Sequence, residues 1–456
     1  MRDATDIFTG KSMHNVSKLV DKSVSKTIIG MAVPMLAGTF ALTTYQLTNA
    51  WFVSRLGTEA LAAISFTFPV VMLLVFLIRG LGSGAMPLVA HAIGERDHKK
   101  AAQLTTQTLL LGVPFAALIT AVGIFTIGPV FSRLGASGEV LKLVARYMKI
   151  WYSGTIITVF QMVMADLIVS TGNTKAVSLL MVSSTVLNAF LDMVLIFGMF
   201  GMPRMGIAGA ALATILSQAT ALIIACYILA KKLKLVDWSA LTGHALFASW
   251  GKILRFGIPG ALGMIMSPVS ATVMTKLAAG YGTAAVAAMG VAGRIEIFGY
   301  MIPATVGIPL VPFIAQNYGA RRMDRIKKAR KGTMTFAILY GIFLGLVLII
   351  FARPIAGIFS TDAAVIGAIC SYIYITSLGY GMTEVHRYSG FTMTGTHKPL
   401  RASALNIIRV VALLIPLTIA GSVLFGLKGV FWGRLATDIL AGLIGIYWSG
   451  KILSAT

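Results

Sequence analysis

Ser184, Asn188 and Asp192 recur at every fourth position of Ser184-Thr185-Val186-Leu187-Asn188-Ala189-Phe190-Leu191-Asp192. In a helix this spacing places a hydroxyl, an amide and a carboxylate on one face of an otherwise apolar segment. Such a set can coordinate Na⁺ through oxygens, or hold and release a proton where water is scarce. The same residues could instead form a hydrogen-bond cluster that only packs helices. Tyr45 and Asn49 are also four apart, beside Gln46 and Thr48, and offer either a polar substrate lining or interhelical glue. Pro34, earlier in that segment, removes a backbone hydrogen bond and marks a place where the helix can bend.

Ionisable groups at membrane depth are costly and mark functional candidates. Five of the 15 acidic residues fall in long apolar runs: Asp166, Asp192, Glu296, Glu384 and Asp438. Glu296 follows Arg294 by two residues and Lys276 lies one run earlier, which suggests ion pairing more than proton carriage. Glu384, His386 and Arg387 suggest a hinge or a polar lining. Asp166 and Asp438 lie near run ends and read as interfacial.

Signals for enzyme chemistry are poor. The six histidines are scattered, and there is no HExxH and no Cys/His cluster. Gly80-Leu81-Gly82-Ser83-Gly84 ends an apolar run, so it reads as close helix packing or a hinge, not as a phosphate loop. Cys226 and Cys370 lie in apolar runs and suggest no disulfide. Apart from Na⁺ at Asp192, no metal or cofactor is expected.

The elements that must position these residues follow from composition. Of the 456 residues, 57% are apolar and 12% charged, and the mean hydropathy is +0.86. That excess cannot be hidden in one soluble core. The chain reads as an all-α polytopic membrane protein. Apolar runs place spans near 27–53, 61–87, 104–127, 147–170, 176–198 and 207–230, then near 254–280, 286–313, 333–352, 364–393, 400–422 and 429–450.

The net charge of +23 reflects loop bias rather than nucleic-acid binding. With both termini cytoplasmic, 24 basic residues face inward and eight outward, and six lie within spans. The expected organisation is a cytoplasmic tail over 1–26 that is not a cleavable signal peptide. An N-lobe over 27–230, a basic cytoplasmic linker over 231–253, a C-lobe over 254–450 and a tail over 451–456 follow. The lipid bilayer is the partner expected from composition, with the chain a monomer in a cell (inner) membrane.

The halves repeat. Gly57-Thr58-x-Ala60-x-Ala62-Ala63 recurs as Gly282-Thr283-x-Ala285-x-Ala287-Ala288. The same offset pairs Pro34 with Pro259, Pro87 with Pro312, Gly94 with Gly319, Arg96 with Arg321 and Tyr147 with Tyr372. Six spans per half give two lobes of the same orientation, related by a pseudo-two-fold axis along the membrane normal. Substrate sites in such folds lie between the repeats near the midplane.

These features together resemble the multidrug and toxic compound extrusion (MATE) family, most closely its DinF-like and archaeal branch. The matching stretches are Pro34, the run from Tyr45 to Leu61, Leu187 to Asp192, Gly206 to Thr214, Ala292 to Glu296, Gln316 to Ala320 and Thr394 to Pro399. The resemblance implies 12 helices and export of cationic or amphipathic organic compounds in exchange for H⁺ or Na⁺ by alternating access. It also implies an N-lobe cation site at Asn49, Asn188, Asp192 and Thr214, with Tyr45 and Gln46 lining the substrate cavity. Asn49 stands where the family carries an Asp, which leaves Asp192 the sole carboxylate of that site. Lys276, Arg294, Glu296 and Glu384 remain secondary candidates in the C-lobe. A lipid-linked oligosaccharide flippase of the same superfamily is the alternative function, kept open by Lys276 and Arg294.

Overall fold

The computed structural model describes residues 18–240 and 243–454, so most of the expected N-terminal tail lies outside the described residues. Nine of the described helices are long and apolar enough to cross a membrane, and two bent pairs, broken by 53° and 49°, make eleven. The 56-residue run Pro399–Ser454, one of the nine, is two helices joined at a kink and so accounts for a twelfth span. Its helix carries non-helical backbone at Phe425 (φ −134°, ψ 16°) and Gly426 (φ 60°, ψ −143°), where it turns back.

The spans are α1 (Val24–Ser54), α2 (Thr58–Gly94), α3 (His98–Arg133), α4 (Gly138–Ser153 with Thr155–Ser170), α5 (Thr174–Phe197) and α6 (Ile207–Tyr227). They continue as α7 (Gly243–Ala279), α8 (Thr283–Gly299, Met301–Gly307 and Leu310–Gly319) and α9 (Met323–Ile350). The last three are α10 (Ala363–Thr376 with Tyr380–Gly395), α11 (residues 399–424) and α12 (residues 427–454). Polar residues at the turns start them. Asp97 accepts from the Lys100 amide at 2.9 Å, Asn173 from that of Ala176 at 3.2 Å and Asp362 from that of Ala364 at 2.7 Å.

Two compact units emerge: Gly30–Ala261 makes most of the first and Leu262–Thr456 most of the second. Their limits fall inside helices. Lys22–Ile29, at the start of α1, groups with the second unit. The stretch read as a linker over 231–253 is helical from Gly243 on, because α7 begins there and runs unbroken to Ala279.

The internal repeat is visible in the backbone. Gly57 and Gly282 both precede a helix with positive φ (107° and 95°), and Arg96 and Arg321 share a left-handed turn (62° and 55°). Gly172 (84°) has His397 (62°) as its counterpart at the same offset.

The Gly80–Gly84 segment is a packing surface in the first unit. A Cβ on Gly84 would lie 2.6 Å from the Ile253 carbonyl oxygen, and one on Gly257 would lie 2.7 Å from that of Gly80. Backbone of α2 therefore meets backbone of α7, as small residues permit in membranes. Helix α1 runs continuously through Pro34, whose carbonyl accepts from the Ser178 hydroxyl of α5.

Candidate functional site

Helices α5 and α6 form a hairpin whose loop is shaped by two positive-φ glycines. Gly198 (φ 76°, ψ 41°) ends α5 in the left-handed conformation, and Gly206 (φ 57°, ψ −131°) precedes α6. Asp192 lies five residues before the end of α5, and Thr214 seven residues after the start of α6. At about 1.5 Å rise per residue both stand at a similar depth beside the loop.

There the side chains join. With its amide turned to satisfy both neighbours, Asn188 donates to Asp192 Oδ2 at 2.9 Å and its carbonyl oxygen accepts from the Thr214 backbone N–H at 3.2 Å. The Thr214 hydroxyl lies 3.0 Å from that of Tyr45 on α1, and Asn49 Nδ2 donates to the Tyr45 oxygen at 3.5 Å. Asp192, Asn188 and Thr214 are buried. Among the described residues, Asp192 Oδ1 accepts no hydrogen bond.

Four of the residues named from sequence for a cation site thus share one chain, with Tyr45 as the link between α1 and the hairpin. Tyr45 was expected in the substrate lining; Gln46, its sequence neighbour, is exposed and stands outside the chain. Ser184, the third member of the four-residue stripe, is only partly buried.

The second unit holds a different arrangement. Arg434 Nη2 lies 2.7 Å from Glu296 Oε1, and its Nε lies 3.6 Å from Asp438 Oδ2. Arg409 donates to Asp438 Oδ1 at 2.6 Å through Nη2 and at 3.2 Å through Nε. The Tyr372 hydroxyl donates to Glu296 Oε1 and accepts from Arg434. Glu296 does pair, but its partner is Arg434 of α12. Arg294 and Lys276 are exposed, and neither makes an ion pair among the described residues.

Asp438 corrects a sequence expectation. It is not interfacial but fully buried, because Arg409 and Arg434 draw it into the helix bundle. Arg409 and Arg434 were missed. The sequence does carry a signal, since Arg434 and Asp438 are spaced i,i+4 on one helix.

Glu384 is buried too, with Arg387 Nη1 3.1 Å away one turn along the same helix. His386 lies 3.0 Å from Asn406 Oδ1. Asp166 lies 3.9 Å from Arg79 and covers Gly82, where a Cβ would collide with its carboxylate.

Comparison with known proteins gives a consistent picture. The MatE family model matches residues 34–194 and 259–420. The chain is 33% identical over 422 residues to the FAD transporter of Shewanella oneidensis, spanning 92% of this chain and 93% of that one. It is 26% identical to the multidrug export protein MepA of Staphylococcus saprophyticus, over 92% of each chain. Among solved structures it resembles the Vibrio cholerae MATE transporter VcmN in the bent form. The TM-score there is 0.89 at 26% identity, covering 95% of this chain and 97% of the other.

Proposed function

The chain belongs to the MatE family of membrane transporters, and on that premise we propose that it is a secondary active exporter of organic compounds. Export is coupled to inward movement of H⁺ or Na⁺, by alternating access. The coupling ion is held at Asp192, with Asn188 orienting the carboxylate and Thr214 and Tyr45 linking it to α1. Asn49 contributes an amide and does not titrate. Both termini face the cytoplasm.

The observation that carries this reading is the unpartnered Oδ1 of Asp192. A buried polar atom without a partner costs about 1–3 kcal/mol, and a charged one more. A proton or a cation on Oδ1 removes that cost, so occupancy and release at this atom can be tied to a conformational cycle. The test is efflux from proteoliposomes under separately imposed Na⁺ and pH gradients. Neither gradient driving efflux in the native chain, or both driving Asp192→Asn as well as the native chain, would refute the assignment.

A second reading concerns the cargo. Arg294 lies eleven residues into α8, exposed and without an ion pair among the described residues. A charge at that depth is stable only against water or a counter-ion, which favours a phosphate-bearing substrate of the kind named for the Shewanella oneidensis relative. Competition between FAD and a lipophilic cation for export separates this from a purely cationic cargo. Movement of a lipid-linked oligosaccharide in the same vesicles would favour the flippase alternative.

A further inference from the structure

The internal repeat pairs the two buried polar sites, and the pairing can be checked by packing. Gly154, at the break in α4, would press a Cβ into Ile215 of α6, and Gly379, at the break in α10, would press one 2.9 Å from Leu435 of α12. Gly154 and Gly379 keep the offset of the sequence repeat. Ile215 and Leu435 show that the last helix of each unit is offset by 220 instead. Gly206 and Gly426 share that second offset and nearly the same backbone angles, φ 57°, ψ −131° and φ 60°, ψ −143°. Thr214 and Arg434, one residue before Ile215 and Leu435, are therefore equivalent positions.

At that position the first unit presents a threonine, uncharged and joined to Asp192 only through Asn188, and the second presents a guanidinium against two carboxylates. We propose that Arg434 is a tethered cation: it neutralises Glu296 and Asp438 in the second unit and so keeps that unit from taking up a mobile ion.

The geometry fits this role. Two guanidinium groups, Arg434 and Arg409, meet two carboxylates, Glu296 and Asp438, and the charges balance. Arg434 also lies over the Tyr372 ring, 5.5 Å from its centroid, and that ring packs edge-on against Phe431. An always-charged, planar group held on three sides cannot exchange as Na⁺ or H⁺ does. The carboxylates do not come from α11, the counterpart of the helix that carries Asp192, but from α8 and α12. The second site is thus not a copy of the first; only the location of its cation is shared.

The test uses the full-length purified chain, with radioactive Na⁺ binding and, in Na⁺-free buffer, proton uptake as probes. All variants carry Asp192→Asn, so the result does not depend on whether Asp192 is the coupling residue. Removing the tethered charge with Arg434→Met should add uptake of about one Na⁺ or H⁺ per chain, because a buried carboxylate left unpaired demands a new partner. Adding Glu296→Gln should abolish the gain, and Arg434→Lys should produce none. No gain in a folded Arg434→Met variant would overturn the proposal, as would a gain with Arg434→Lys equal to that with Met. If Arg434→Met does not fold, Asp192→Asn with and without Glu296→Gln decides. Ion uptake that disappears with Glu296→Gln while Arg434 is intact overturns the proposal, and uptake unaffected by Glu296→Gln supports it.

Discussion

The hydroxyl of Tyr45 lies 3.0 Å from the hydroxyl of Thr214, and through Asn188 this contact reaches Asp192. It is the hydrogen bond that ties α1 to the α5–α6 hairpin. Thr214 meets Tyr45 through its hydroxyl and Asn188 through its backbone N–H, so both contacts converge on one residue of α6.

Tyr45→Phe keeps the ring and removes that link. A neutral hydrogen bond contributes about 1 kcal/mol, or about fivefold in an equilibrium. Ion-driven efflux should therefore fall several-fold, while thermal stability stays close to native. Efflux at the native rate under a gradient would separate α1 from the coupling chain.

Asp192→Asn should abolish gradient-driven efflux while leaving a folded chain that still binds its cargo. The amide keeps the shape and loses the exchangeable charge. Because an uncompensated carboxylate at membrane depth costs on the order of 3 kcal/mol, thermal stability should hold or rise. Melting curves and ligand-induced fluorescence on the same preparation check both points.

Asn49→Asp should be tolerated and should change how efflux depends on pH. A new carboxylate would stand within reach of Tyr45, to which Asn49 now donates at 3.5 Å. Its acceptor oxygen would then receive the Tyr45 proton, so the link to Thr214 would depend on protonation. A pH profile identical to the native one would count against this.

Gly84→Val should destabilise the first unit. Even a Cβ there would lie 2.6 Å from the Ile253 carbonyl oxygen, and neither backbone can yield like a side chain. Overpacking of this kind costs about 1–3 kcal/mol or more. The melting temperature should fall, whereas Gly128→Ala, with nothing within 4 Å of its Cβ position, should leave it unchanged.

Arg409→Gln should be among the most damaging single changes in the second unit. It leaves Asp438, fully buried, without the guanidinium that donates at 2.6 Å. Breaking a buried ion pair from one side costs about 3–5 kcal/mol. Arg409→Gln/Asp438→Asn should recover much of the loss, as measured by melting in detergent.

The helical class and the span pattern were legible because membrane insertion acts on local composition. A run of apolar residues must form a helix in lipid whatever its neighbours do, so α1 to α12 follow from hydropathy and from Gly and Pro punctuation. The repeat was legible for the same reason, since Gly57/Gly282 and Arg96/Arg321 mark turns that depend on the residue itself. Asn188 and Asp192 could be paired from spacing alone, since one helix carries both.

Contacts between helices were not legible in this way. Nothing local assigns Arg434 to Glu296, 138 positions away in the chain, in preference to the nearer Arg294. Nor does spacing say that Asp438 turns inward, or that Tyr45 meets Thr214. Those outcomes depend on which faces pack: backbone-to-backbone approach at Gly84 and Gly257 and the turns at Gly206 and Gly426 set the rotation of each helix. Sequence by itself determined the spans, their repeat and the candidate carboxylates, because each obeys a local rule. Tertiary structure alone decided which charge is compensated and which carboxylate oxygen is left open, because the cost of a buried charge depends on what packs against it.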